Sequence, residues 1–234
     1  MKKILLAVLL LSLLLALCAC GDTGAAEPAS ATTPAPTAET APVTVPDENA
    51  EEQLTVGTLR QDAEGATYEN PLLGFGCRLD TSWYVATKEQ LAQLSGVVMD
   101  AYEGTGYEEA MRRAQSFFDL YAENPDLPAT VNLNFTTLKQ QIDPSNEQVL
   151  AAMQAELQSG LEAGSMQNVE TELRTVSFLG GETKAVHFYA LNQGVDYYGL
   201  QIYFSADDHF ATLTLGTFGE DKTETLLELF YPLS

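Results

Sequence analysis

The sequence predicts an α+β domain built as an α/β/α sandwich, a mainly antiparallel sheet flanked by helices, behind a leader and a disordered linker. Three observations point there. Both structural periods occur after about Ala66: Phe75, Cys77 and Leu79 alternate with polar or small residues, while Leu150, Met153, Leu157 and Leu161 recur at helical spacing. Turn residues punctuate the last third of the chain as they do in antiparallel hairpins. Several of those strands are apolar on both faces, as in Tyr197-Tyr198-Gly199-Leu200-Gln201-Ile202-Tyr203-Phe204, so the sheet requires a cover on each side.

Taken in order, a first strand falls on Phe75 to Leu79 and continues from Trp83 to Val85 after a bend. Lys88 to Leu94 is a helix with Thr87 as N-cap and with Leu91 and Leu94 turned inward. A second short helix is predicted over Tyr107 to Arg113. The strands Phe117 to Glu123 and Thr130 to Leu138 form a hairpin around Asn124-Pro125-Asp126-Leu127-Pro128. Ser145 and Gln148 then make a capping box for a long helix that Gly164 stops. A meander follows on Val169 to Phe178, Lys184 to Leu191, Val195 to Phe204 and Phe210 to Phe218. Its turns are Gly180-Gly181, Asn192-Gln193-Gly194 and Ala206-Asp207-Asp208. A closing helix over Lys222 to Phe230 would bury Leu226, Leu229 and Phe230.

The N-terminus has a different logic. Lys2 and Lys3 precede an apolar run from Ile4 to Leu17 interrupted only by Ser12. That run is shorter than the ~20 residues needed to cross a bilayer, so it reads as a targeting segment. It ends in Leu17-Cys18-Ala19-Cys20, an aliphatic residue, two small ones and a cysteine. This tetrad resembles the lipobox of bacterial lipoproteins. The resemblance implies a diacylglyceryl thioether on Cys20 and cleavage between Ala19 and Cys20, with residues 1–19 removed. It also implies attachment to the extracytoplasmic side of the cell membrane. Each buried methylene contributes about 0.8 kcal/mol, so two or three acyl chains suffice for lasting anchorage.

Residues 20–65 are expected to form the lipidated cysteine and its tether. Asp22 to Ala50 holds Pro28, Pro34, Pro36, Pro42 and Pro46, with no aromatic and no basic residue. Such a stretch cannot bury enough apolar surface to offset its ordering entropy. It should reach at most about 3.1 Å per residue as a polyproline-like spacer. Leu54, Val56 and Leu59 follow and are expected to dock as an edge segment, and a single globular domain is expected over residues 66–234. The chain carries 33 acidic and 11 basic side chains. With Lys2 and Lys3 removed, the formal charge is −24. That charge opposes binding to nucleic acid and to anionic headgroups, so membrane contact is expected through covalent lipid alone.

The order of elements carries a second resemblance. Tyr68-Glu69-Asn70 and Gly74-Phe75 ahead of Trp83 lead into a helix and then a hairpin from Asp119-Leu120-Tyr121-Ala122 to Val131-Asn132-Leu133. A long helix, a glycine-punctuated meander and a terminal helix complete the pattern. It resembles the PsbP-like fold, shared with Ran-binding Mog proteins and small bacterial lipoproteins. The resemblance implies an α/β/α sandwich over about Ala66 to Ser234. Asp80 departs from it, standing where a proline often precedes the tryptophan turn. The activities of those relatives do not follow from a shared fold.

No constellation with catalytic, cofactor-binding or metal-binding spacing is legible. His187 lies mid-strand between Val186 and Phe188, as a satisfied histidine would, and Asp207-Asp208-His209 reads as an acidic turn. Cys77 has no disulfide partner once Cys18 is removed and Cys20 acylated, and it is expected to be a buried, inert thiol. Gly104-Thr105-Gly106 lacks the Gly-Lys-Ser/Thr of a phosphate loop. Tyr102, Glu103 and Tyr107 flank it and are the expected contact loop for a ligand or partner. Glu108 and Glu109 read as a solvated face. These features predict a membrane-anchored, surface-exposed lipoprotein with a non-catalytic binding or accessory domain and an envelope protein as partner. The alternatives are an envelope hydrolase with carboxylates assembled by folding and, behind it, a small-solute-binding component.

Overall fold

A computed structural model describes residues 57–96, 116–137, 142–206 and 209–233. The opening strands are β1 (Thr58–Asp62), β2 (Gly65–Asn70), β3 (Phe75–Asp80) and the two-residue β4 (Tyr84–Val85). Helix α1 (Lys88–Leu94) follows. Next come β5 (Ser116–Asn124) and β6 (Ala129–Thr137), then α2 (Glu147–Ala163). The meander comprises β7 (Gln167–Phe178), β8 (Gly181–Asn192), β9 (Val195–Ala206) and β10 (His209–Phe218). A 3-10 turn (Thr225–Leu229) leads into β11 (Phe230–Pro232).

Among the described residues all strand pairs are antiparallel, and they fall into two sheets. The larger has seven strands in the order β4-β5-β6-β10-β9-β8-β7, and the smaller has four in the order β1-β2-β3-β11. The expected α/β/α sandwich is therefore corrected to a β-rich fold of two antiparallel sheets, and the layers implied by the PsbP-like resemblance are corrected with it. The reason is physical. Apolar residues on both faces of a strand demand two covers without specifying what each cover is made of.

On one face of the large sheet the cover is the small sheet. Tyr68, Phe75, Cys77 and Leu79 pack there with Leu120, Val131, Leu133, Leu200, Ile202, Leu213 and Leu215. Phe75 meets Phe178, Phe204 and Phe230 at ring separations of 5.5–5.8 Å, tilted against Phe204 and in the edge-to-face geometry that aromatic quadrupoles favour against Phe178 and Phe230. The opposite face carries the helices. Leu150, Leu157 and Leu161 of α2 pack with Val186, Phe188, Tyr197 and Tyr203, while Leu91 and Leu94 of α1 pack on Phe118 and Tyr121.

Local chemistry explains the boundaries. Thr87 and Gln90 form a reciprocal capping box on α1. The long helix begins one residue later than expected: Asn146 is its N-cap and accepts from the Gln148 and Val149 amides, while Ser145 bonds Asp143 instead. The closing helix expected over Lys222 to Phe230 is only the 3-10 turn. Leu226 and Leu227 are its buried residues, and Phe230 leaves it to pair with Cys77 at the edge of the small sheet. Pairing also starts ahead of Ala66, since β1 runs along β2 with Leu59 opposite Tyr68. The helix expected over Tyr107 to Arg113 lies outside the described residues.

Candidate functional site: a histidine held between carboxylates

A group of charged side chains sits where β7, β8 and the segment after β10 meet. Pairing of β7 with β8 sets Glu172 opposite His187, and Arg174 lies two residues along the same face of β7. The chain leaving β10 brings Asp221 over this face. His187 Nε2 is 2.9 Å from Asp221 Oδ2, and His187 Nδ1 is 3.5 Å from Glu172 Oε1. The imidazole is buried, with 7% of its side chain exposed.

Arg174 ties the carboxylates together. Its guanidinium lies 2.7 Å from Glu172, 3.5 Å from Asp221 and 3.4 Å from Glu224. Asp221 uses its other oxygen locally, accepting from the Thr223 hydroxyl at 2.7 Å and the Thr223 amide at 3.2 Å. Burial pushes the Asp221 carboxyl up, but the Thr223 bonds, His187 and Arg174 together outweigh it and hold the group below its usual range. Burial and the charge of Arg174 push the His187 pKa down, while Asp221 and Glu172 pull it up; the net direction is down. A proton on Nε2 matches the bond to Asp221.

A histidine–aspartate pair activates a nucleophile when the second ring nitrogen faces a hydroxyl or thiol. Here that nitrogen faces Glu172. What the arrangement can do is fasten the segment after β10 to the β7–β8 hairpin and respond to acid.

A second polar centre lies between the sheets. The register of β5 against β6 shifts between Phe118 and Leu120, and this bulge places Asp119 at 7% exposure beside the small sheet. Its Oδ2 accepts from the Tyr68 hydroxyl, from Asn70 Nδ2 at 3.0 Å and from the Gly57 amide at 2.8 Å. Burial raises the Asp119 pKa, opposed by the hydrogen bonds from Tyr68, Gly57 and Asn70 and by the charge of Lys88. Three donors compensate the buried carboxylate.

The residues singled out from sequence are distributed differently. Ala19, Cys20, Tyr102, Glu103 and Tyr107 lie outside the described residues, as do Glu108, Glu109, Asp207 and Asp208. His187 lies in the charged cluster. His209 is buried at the start of β10, with Thr137 Oγ1 at 3.3 Å and the rings of Phe117 and Phe135 against its edge. Cys77 is fully buried in β3, and burial pushes its thiol up to about 12. Sequence reasoning missed Glu172, Arg174, Asp221 and Asp119. The i, i+2 pair Glu172 and Arg174 was a visible signal for the first two; the other two depend on a loop and a bulge.

Among the described residues, no group of three or more His, Cys, Asp or Glu is arranged to hold a metal ion, and no helix is long and apolar enough to cross a membrane. Comparison of the sequence with protein-family models and with curated proteins gives no match.

Proposed function

We propose that the chain is a lipid-anchored envelope protein whose two-sheet domain is a non-catalytic binding or accessory module. The observation that carries the reading is the Leu17-Cys18-Ala19-Cys20 tetrad closing a short apolar leader, followed at once by an acidic, proline-rich spacer. Acyl chains on Cys20 hold the protein at the extracytoplasmic side of the membrane, and the spacer sets the domain away from the surface. The charge of the domain and spacer keeps them off anionic headgroups and polyanions.

The non-catalytic part is supported by the charged cluster. Among the described residues His187 is a candidate for acid–base work, yet both of its nitrogens face carboxylates and its ring is buried. A hydrolase reading needs that pair to face a hydroxyl or a water in reach of substrate. The partner is an envelope protein. Affinity capture from solubilised membranes with the acylated full chain tests this: one protein recovered reproducibly, and lost on competition with unlabelled chain, supports the reading. Repeated capture of nothing above a lipid-anchored control of similar charge contradicts it.

A further inference from the structure

Strand β1 is shallowly embedded. Of its five residues only Leu59 is half-buried, and Thr58, Arg60, Gln61 and Asp62 are exposed. It forms an edge of the small sheet and pairs with β2 alone. Partial burial of one leucine offsets little of the conformational entropy lost in fixing the backbone of five residues. The Arg60–Glu69 ion pair at 3.4 Å is largely solvated and adds little. Backbone pairing has to supply the difference.

One further tie exists. The Gly57 amide, immediately ahead of β1, donates to Asp119 Oδ2 at 2.8 Å. Asp119 belongs to the large sheet, so this bond crosses between the layers. The seat is shaped for glycine: a Cβ at Gly57 would lie 2.2 Å from the Tyr68 ring. Tyr68 and Asn70 hold the same carboxylate oxygen from β2, so the acceptor stays in place when Gly57 leaves.

We propose that β1 opens as a unit from the folded domain, with the bond from Gly57 to Asp119 as its latch, and that opening lengthens the tether. With β1 paired, Thr58–Asp62 are held along β2; with β1 released, the tether extends to Gly65, at the end of β2 away from Glu69, the partner of Thr58. Residues 57–64 then join the spacer and add at most about 3.3 Å each, roughly 26 Å of reach. The gain in reach rests on anchorage at Cys20; the opening itself does not.

Native-state hydrogen exchange on the full chain made with Cys20→Ser, which bears no lipid, tests the opening. The amides that pair β1 with β2 should exchange at least tenfold faster than those of β9 and β10. Asp119→Ala should speed them about tenfold further while β9 and β10 keep their protection. Gly57→Ala, whose Cβ cannot seat against Tyr68, should do the same with the Asp119 side chain retained, which keeps the test decisive if Asp119→Ala fails to fold. Exchange of β1 in step with β9 and β10, or acceleration of all strands alike by Gly57→Ala, would overturn the proposal. Failure to find acyl chains on Cys20 would leave these rates untouched and remove only the consequence for reach.

Discussion

His187 Nε2 and Asp221 Oδ2 stand 2.9 Å apart, and this contact joins the middle of β8 to the segment that follows β10. Both groups have pKa values lowered by folding. The sign of the pH effect follows directly. A group whose folded pKa is depressed contributes stability above its unfolded pKa and loses it as pH falls through the folded value. Stability should therefore decline below about pH 6.5 as His187 takes up its proton, and again below the ordinary aspartate range as Asp221 does. Denaturant unfolding across pH 2 to 8 measures this. His187→Gln should flatten the upper step, and Asp221→Asn the lower one.

Asp119 works in the opposite sense. Its raised pKa means that its contribution is present below the unfolded value and is lost as pH rises through the folded value. Asp119→Asn keeps an oxygen for Gly57 and Tyr68 and removes the buried charge. The stability of this variant relative to the parent should increase from pH 4 to pH 7. A difference that stays constant over that range would contradict the account of Asp119.

Cys77 should be silent toward thiol reagents while the domain is folded. It is completely buried opposite Tyr68 and Phe230, and its thiol is pushed up to about 12. Only the thiolate reacts. Labelling at pH 8 with an aromatic disulfide should be slower in native protein than in urea-unfolded protein by several orders of magnitude, as for other stably folded cores.

The Phe188 ring lies over Gly199 in the neighbouring strand, and a Cβ there would come within 2.0 Å of it. Gly199→Ala should destabilise the domain by about 1–3 kcal/mol through overpacking beneath α2. Pairing it with Phe188→Leu should recover part of that loss, because the clash is with the ring. Thermal unfolding of the single and double variants provides the measurement.

The strands of the meander were legible because alternation and turn residues agree, and α2 because Leu150, Leu157 and Leu161 share one stripe. The register was not. A two-residue loop centred on Gly180-Gly181 would have set Arg174 opposite His187. The actual turn is Leu179-Gly180, both at positive φ, in the primed geometry that suits hairpin twist. Glu172 therefore faces His187. That slip of two keeps the face and changes the partner, so composition could not reveal it. The small sheet was hidden for another reason. Its strands are short, and β11 was masked by Leu226, Leu229 and Phe230, whose spacing also suits a helix. Asp119 was unreadable because a bulge, which alternation does not encode, turns it inward.

Anchorage is the claim on which tether, reach and envelope partner all depend. Mass spectrometry of the N-terminal peptide, taken from protein purified out of native membranes, tests it most directly. The expected peptide begins at Cys20 and carries a thioether-linked diacylglyceryl group. A mature terminus at another residue, with no fatty acid attached, would contradict it.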